Sequence, residues 1–221
     1  MLPPIHVIDF EGNRAYGILE YALVTLENSD IGDICYANCS ESDHLAALHF
    51  REHSRFSGKA GQFPFAEHLS LFKAKRACGV FCAHNAVIEE RLLRHYSFCP
   101  EMVRESDERT GGDRNGLTTT PLKERIARVG DGGARWQGTW GPWIDTYRLY
   151  KKFYPSVQRY GLKELIRHFR LEERLENLAS EQTGEQLTFH RALYDALGTA
   201  LLLLNFTELF SIRDIKFLLV D

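Results

Sequence analysis

Ile5-His6-Val7-Ile8-Asp9-Phe10-Glu11, followed at once by Gly12-Asn13, is the stretch on which the reading of the fold turns. Its β-branched content is that of a strand, and Gly12-Asn13 breaks it. Residues two apart on a strand share a face, so Asp9 and Glu11 project together while Ile8 and Phe10 face the other way. Two more strand-like runs follow, 18–27 and 34–39, separated by the turn residues Asn28, Ser29, Asp30 and Gly32. Together the three runs predict an antiparallel meander.

Beyond the meander the pattern alternates. One helix is expected after Ser42, and another where Pro64 opens a run with Phe65, Leu69 and Phe72 at helical spacing. Gly79-Val80-Phe81-Cys82-Ala83 reads as a short buried strand leading into a helix capped by Asn85 and running to about Tyr96. Across 97–142 the character changes, because eight of the seventeen glycines fall there beside a charged run from Glu101 to Arg114. That region is expected to be an insertion or a mobile loop, holding a short helix after Thr120-Pro121 that stops at Gly130. The core resumes at Trp143-Ile144-Asp145-Thr146, followed by a helix around 162–169. A last helix begins near His190, with Leu193, Leu197, Ala200, Leu201 and Leu204 on its buried stripe. The expected fold class is α/β, a mixed sheet of meander and parallel strands flanked by helices, in a single domain over 1–221.

Composition agrees with a globular chain, at 44% hydrophobic and 26% charged residues. No apolar run reaches the roughly 18 to 20 residues that span a bilayer, and Met1-Leu2-Pro3-Pro4 does not open a signal peptide, so a cytoplasmic protein with no membrane partner is expected. Five cysteines, at 35, 39, 78, 82 and 99, include no C-x-x-C. Cys35/Cys39 and Cys78/Cys82 are spaced to share a strand face, but buried reduced thiols are the better reading than a zinc site. The net charge of −3 leaves no overall basic footprint. Acids that bind metal would account for part of the negative charge, with Lys73, Lys75, Arg76, Arg91, Arg94, Lys151, Lys152, Arg159, Lys163 and Arg167 as candidates for a basic face or for ordinary solvated helix surface.

Three local signals bear on chemistry. Asp9 and Glu11 side by side are costly unless something positive sits between them, and such oxygen ligands suit Mg²⁺ or Mn²⁺. Acids exposed on an edge strand are the simpler alternative. His190-Arg191-Ala192-Leu193-Tyr194-Asp195 opens the last helix. Inside a regular helix its His and Asp would lie about 140° apart, so they meet only if His190 sits on the lead-in turn. Ala192, Ala196, Gly198 and Thr199 would let the helix lie close to the sheet. In the third signal, Ala83-His84-Asn85-Ala86-Val87-Ile88-Glu89, Asn85 reads as a cap and Glu89 as a complement to the helix dipole, with no catalysis needed.

Taken in order on their expected elements, the three signals resemble the DEDDh family of 3′-to-5′ exonucleases, to which the proofreading subunits of bacterial replicative polymerases belong. Ile8-Asp9-Phe10-Glu11 is similar to its Asp-x-Glu motif, His84-Asn85-Ala86-Val87-Ile88-Glu89 to His-Asn-Ala-x-Phe-Asp, and His190-Arg191-Ala192-Leu193-Tyr194-Asp195-Ala196 to His-x-Ala-x-x-Asp-Ala. Ile144-Asp145-Thr146 and Tyr160-Gly161-Leu162-Lys163-Glu164-Leu165 are weaker family-like stretches. Two departures stand out: Glu89 replaces an aspartate, lengthening the arm by about 1.5 Å, and Gly12-Asn13-Arg14 replaces a Thr-Thr-Gly-like continuation.

The resemblance implies a ribonuclease-H-like fold and two ions, Mg²⁺ or Mn²⁺. Asp9, Glu11 and Asp195 would hold them, Glu89 would bind the second directly or through water, and His190 would be the general base. The expected substrate is the 3′ end of single-stranded DNA or RNA, with a polymerase as a conceivable partner. Gly12, His84 and Asn85 are the expected substrate contacts, and Trp136 and Trp140 are expected either to stack on bases or to pin the insertion to the domain. The alternatives are a non-catalytic nucleic-acid-binding or polymerase-docking module whose metal site Glu89 has weakened, and an endonuclease on the same fold.

Overall fold

The computed structural model describes residues 3–13, 17–39, 63–97, 139–210 and 214–219. The expected helices after Ser42 and Thr120, Trp136, Cys99 and most of the 97–142 region lie outside these residues.

The three runs of the N-terminal third form β1 (Ile5–Asn13), which continues through Gly12 and Asn13 instead of breaking there, β2 (Gly17–Glu27), and β3 (Asp30–Asn38), which starts before the expected 34–39 and takes in Asp30 and Gly32. They pair as an antiparallel meander, with Asp9 opposite Ala22 and Glu11 opposite Glu20. After α1 (Phe65–Cys78), β4 (Val80–Ala83) adds parallel to β1, and after α2 (Val87–Ser97), β5 (Trp143–Asp145) adds parallel to β4. The sheet order is β3-β2-β1-β4-β5. This is the mixed α/β sheet that the pattern predicts.

The period-two alternation divides the core. Ile8, Phe10, Tyr21 and Leu23 face Phe65, Leu69 and Phe72 of α1 and Leu93 of α2. Val7, Ala22 and Val24 face the opposite layer, built from α3 (Thr146–Phe153), α4 (Leu162–His168), α5 (Glu172–Thr183) and α6 (Ala192–Leu209). Asp9, Glu11 and Glu20 share the parity of this second face, at the end of the sheet where the apolar residues stop.

Helix α6 departs from the expected amphipathic stripe. Fifteen of its eighteen residues are buried, because the sheet covers one side while α3, α4 and α5 cover others. Gly198 faces Leu162, Ile166 and Leu175 and so serves helix–helix packing, not the approach to the sheet. The pattern did not predict α3 or α5. Each buries few residues, Thr146, Leu149 and Tyr150 in one and Leu175 and Ala179 in the other.

Cys78 ends α1 and Cys82 lies in β4, so the two do not share a strand face. Among the described residues all four cysteines are free; Cys39 and Cys82 are buried as expected, whereas Cys35 is half-buried and Cys78 is exposed. No helix among the described residues is long and apolar enough to cross a membrane.

Candidate active site

β1, β4 and β5 run parallel, and the polar residues gather at their carboxyl ends, where open α/β sheets usually bind ligands. β1 contributes Asp9 and Glu11. The first turn of α2, following β4, contributes Glu89, which is 5% exposed. The start of α6 contributes His190 and Asp195. One ligand atom from each of Glu11, His190 and Asp195 lies within 4.8 Å of the others.

His190 reaches this position as the five-residue spacing requires. It lies two residues ahead of α6 in a left-handed conformation, φ +70°, and its amide donates to Asp195 Oδ2 at 3.0 Å. The imidazole is exposed while Asp195 is buried beneath it.

Burial, then the neighbouring carboxylates of Asp195, Glu89, Glu11 and Glu20, hold the Asp9 carboxyl well above the usual carboxylate range. Glu11 is pushed up to about 7 by burial and Asp195, with His190 and Arg191 pulling the other way. Burial raises Glu89 to about 8 and Asp195 to about 7. Asp195 Oδ1 and Glu89 Oε2 are buried with no hydrogen-bond partner. Crowded acids with partnerless inward oxygens fit a hard divalent cation, which would relieve their repulsion and complete their coordination.

The expected substrate contacts fare differently. Asn85 is exposed and left-handed, φ +73°, ahead of a helix that starts at Val87, so it is not the N-cap of α2. Its amide and that of Ala86 donate to the Asp145 carboxylate at 3.1 and 3.2 Å, and Asp145 also caps α3 through the Arg148 amide. Asp145 therefore shapes the turn that launches α2. His84 has both ring nitrogens engaged: Nε2 donates to the Tyr160 carbonyl at 2.8 Å, and Nδ1 meets the Thr146 hydroxyl at 2.9 Å. Its ring chemistry is committed to joining β4, α3 and the segment before α4. Gly12 sits at a bulge in β1 with φ +149°, and a Cβ there would collide with the Gly17 carbonyl, so glycine is required by the backbone. Trp140 is 3% exposed and stacks on Phe81, ring centroids 6.0 Å apart, which favours pinning over base stacking.

Several candidates for a basic face are engaged elsewhere. Lys75 pairs with Asp33, Arg94 with Glu90 and Arg167 with Glu172, while Arg76 donates to the carbonyls of Gly79, Trp140 and Gly141.

Sequence reasoning missed Glu20 and Arg191. Glu20 is 4% exposed, and its carboxylate accepts from Arg191 Nε at 3.0 Å and from the Ala192 amide at 3.1 Å. A glutamate inside the apolar run Ile18-Leu19-Glu20-Tyr21-Ala22-Leu23-Val24 was the available signal, since a buried acid needs a partner.

No family model matches the chain, and no curated protein matches it by sequence. Among solved structures, Exonuclease X in complex with 5′ overhanging duplex DNA aligns over 97% of this chain and 97% of its own, with a TM-score of 0.57 and 19% identity. At that identity the likeness speaks for the backbone and not for the chemistry. The chain therefore has the ribonuclease-H-like fold on which Exonuclease X is built.

Proposed function

We propose that the protein is a metal-dependent 3′-to-5′ exonuclease of the DEDDh type that hydrolyses terminal phosphodiesters of nucleic acid. The observation that carries this reading is the convergence of Glu11, His190 and Asp195 beside the buried, partnerless oxygens of Asp195 and Glu89. The fold it shares with Exonuclease X adds support.

In this reading Asp9, Glu11 and Asp195 hold two divalent ions, with Glu89 on the second. When bound, the ions supply charge neutralisation and polarisation of the scissile phosphate. His190, exposed above the acids, takes the proton of the attacking water on a ring nitrogen, and Asp195 holds the His190 backbone in place. The product is a nucleoside monophosphate. The substrate class is the 3′ end of single-stranded DNA or RNA. The duplex in the Exonuclease X structure adds a recessed 3′ end to the substrates worth testing.

The test is digestion of 5′-labelled single-stranded DNA, matched RNA and a duplex with a recessed 3′ end, with Mg²⁺ or Mn²⁺. A ladder shortening from the 3′ end, with release of monophosphates, is expected. No shortening with either ion would leave a nucleic-acid-binding or polymerase-docking module. Internal cleavage of a 3′-blocked strand would make the protein an endonuclease.

A further inference from the structure

Glu20 lies directly opposite Glu11 in the β1–β2 register, which sets two carboxylates side by side. Like charges in that position oppose each other, so Glu20 needs a compensating partner. It has two on one short segment. Arg191 Nε lies 3.0 Å from Oε2 and 3.3 Å from Oε1, and the Ala192 amide, the first of α6, donates to Oε1 at 3.1 Å. The Glu20 side chain is 5% exposed and that of Arg191 29%, so the pair is shielded on the acid's side and reaches water on the base's side.

The residue before Arg191 is His190, whose left-handed backbone is unfavourable for a side chain of its size and persists only where the surroundings impose it. Two grips impose it. Asp195 takes the His190 amide from the helix side, and Glu20 takes Arg191 and Ala192 from the sheet side. Glu20 belongs to none of the three motifs, yet it anchors the turn that carries His190 to the strand facing Glu11.

We infer that Glu20 is a positioning residue that, through Arg191 and the Ala192 amide, fixes the lead-in turn of α6 and so aims the His190 imidazole at the acid cluster. The inference rests on the metal-dependent reading above. Partners one step removed from a metal site typically contribute about 10–100-fold.

The test combines turnover on a 5′-labelled single strand with Mn²⁺-induced paramagnetic broadening of the His190 ring resonances, which reads the distance from imidazole to ion. In Glu20→Ala, turnover should fall about 10–100-fold at little changed KM, and the broadening should weaken while Mn²⁺ still binds. Arg191→Ala, at a partly exposed position, should reproduce both effects, and the double variant should be no worse than Glu20→Ala. Glu20→Gln, whose amide oxygen still accepts from Ala192, should recover part of the broadening. Wild-type turnover and broadening in Glu20→Ala, or a lowered Tm alone, would overturn the positioning role. If Glu20→Ala fails to fold, wild-type behaviour of Arg191→Ala overturns it equally. Absence of Mn²⁺ broadening at His190 in the wild type would instead sink the metal-dependent reading, and this inference with it.

Discussion

Asp195 Oδ2 accepts the His190 backbone N–H at 3.0 Å, while Oδ1 of the same carboxylate is buried with no hydrogen-bond partner. One oxygen thus serves the fold and the other is left for an ion. Asp195→Asn separates these duties, because an amide oxygen still accepts from His190 but carries no charge. The variant should fold, and its metal-free Tm should rise as one acid leaves a mutually repelling cluster. Mn²⁺ should no longer raise that Tm, and turnover should be nearly lost. A Tm increase with Mn²⁺ equal to that of the wild type would show that Asp195 does not hold the ion.

His190→Ala tests the proton-transfer role. The side chain is exposed, so its removal should leave the Tm nearly unchanged. Loss of a general base typically costs about 10²–10⁴-fold in rate. Wild-type turnover from acid through alkaline pH would reduce His190 to a helix-start residue.

Glu89 enters the site on an arm one carbon longer than an aspartate, with Oε2 buried and partnerless. Mg²⁺ demands near-ideal octahedral geometry, and a larger, less strict ion should tolerate the displaced oxygen better. Activity with Mn²⁺ is therefore expected to exceed that with Mg²⁺, and Glu89→Asp should narrow the gap. An unchanged metal preference in that variant would make the substitution silent.

The acids and the histidine were legible because each sits on an element with a plain signature: a β-branched strand for Asp9 and Glu11, a strand-to-helix junction for Glu89, and a strongly apolar helix for Asp195. The partners that hold them were harder to read. His84 looks like a substrate contact in sequence, but its commitment to Thr146 and the Tyr160 carbonyl depends on contacts 62 and 76 residues away. Arg191 and Glu20 are 171 residues apart, and only the closing of α6 onto β2 brings them together. Asn85 read as a cap from residue type alone, whereas Asp145 on the neighbouring strand pulls its backbone into a left-handed turn.

Stability of the metal-free protein should fall as pH rises from about 4.5, the ordinary value that these acids keep in the unfolded chain, to about 8, through the raised values of about 7 for Glu11 and Asp195 and about 8 for Glu89. The unfolded chain has already released these protons there, while the folded chain must release them into a crowded site, so rising pH favours unfolding. Between about pH 4 and 6.5 burial acts oppositely through the imidazoles. His6 is pushed down to about 4, and His68 and His84 are also lowered, so the imidazoles offset part of the decline up to about pH 6.5 and leave it unopposed above that. A tenfold difference in proton affinity between the folded and unfolded chain corresponds to about 1.4 kcal/mol, enough for a readable decline in Tm. Thermal melts in EDTA at several pH values check it, and saturating Mn²⁺ should abolish the alkaline decline. A flat Tm across the window in EDTA would mean that the acids are less strained than their burial implies.

Trp140 is the remaining choice between nucleic acid and fold. Its indole stacks on Phe81, and its carbonyl accepts Arg76 Nε at 2.9 Å, while the same guanidinium donates to the Gly79 carbonyl at 2.9 Å and to that of Gly141. These contacts dock the chain onto the sheet just before β5, whose last residue, Asp145, shapes the turn that launches α2. Emptying a buried tryptophan site typically costs about 3–5 kcal/mol. Trp140→Ala should therefore lower the Tm strongly, with Trp140→Phe intermediate. A base-stacking ring would instead contribute about 1–3 kcal/mol to single-strand affinity, up to roughly 100-fold in Kd. Titration of a labelled single strand in Ca²⁺, below the Tm of each variant, should give a Kd within a few-fold of wild type for Trp140→Phe and for Trp140→Ala. A wild-type Tm combined with tenfold weaker binding would place the ring on the substrate. Trp136→Ala in the same titration asks that question of the other tryptophan.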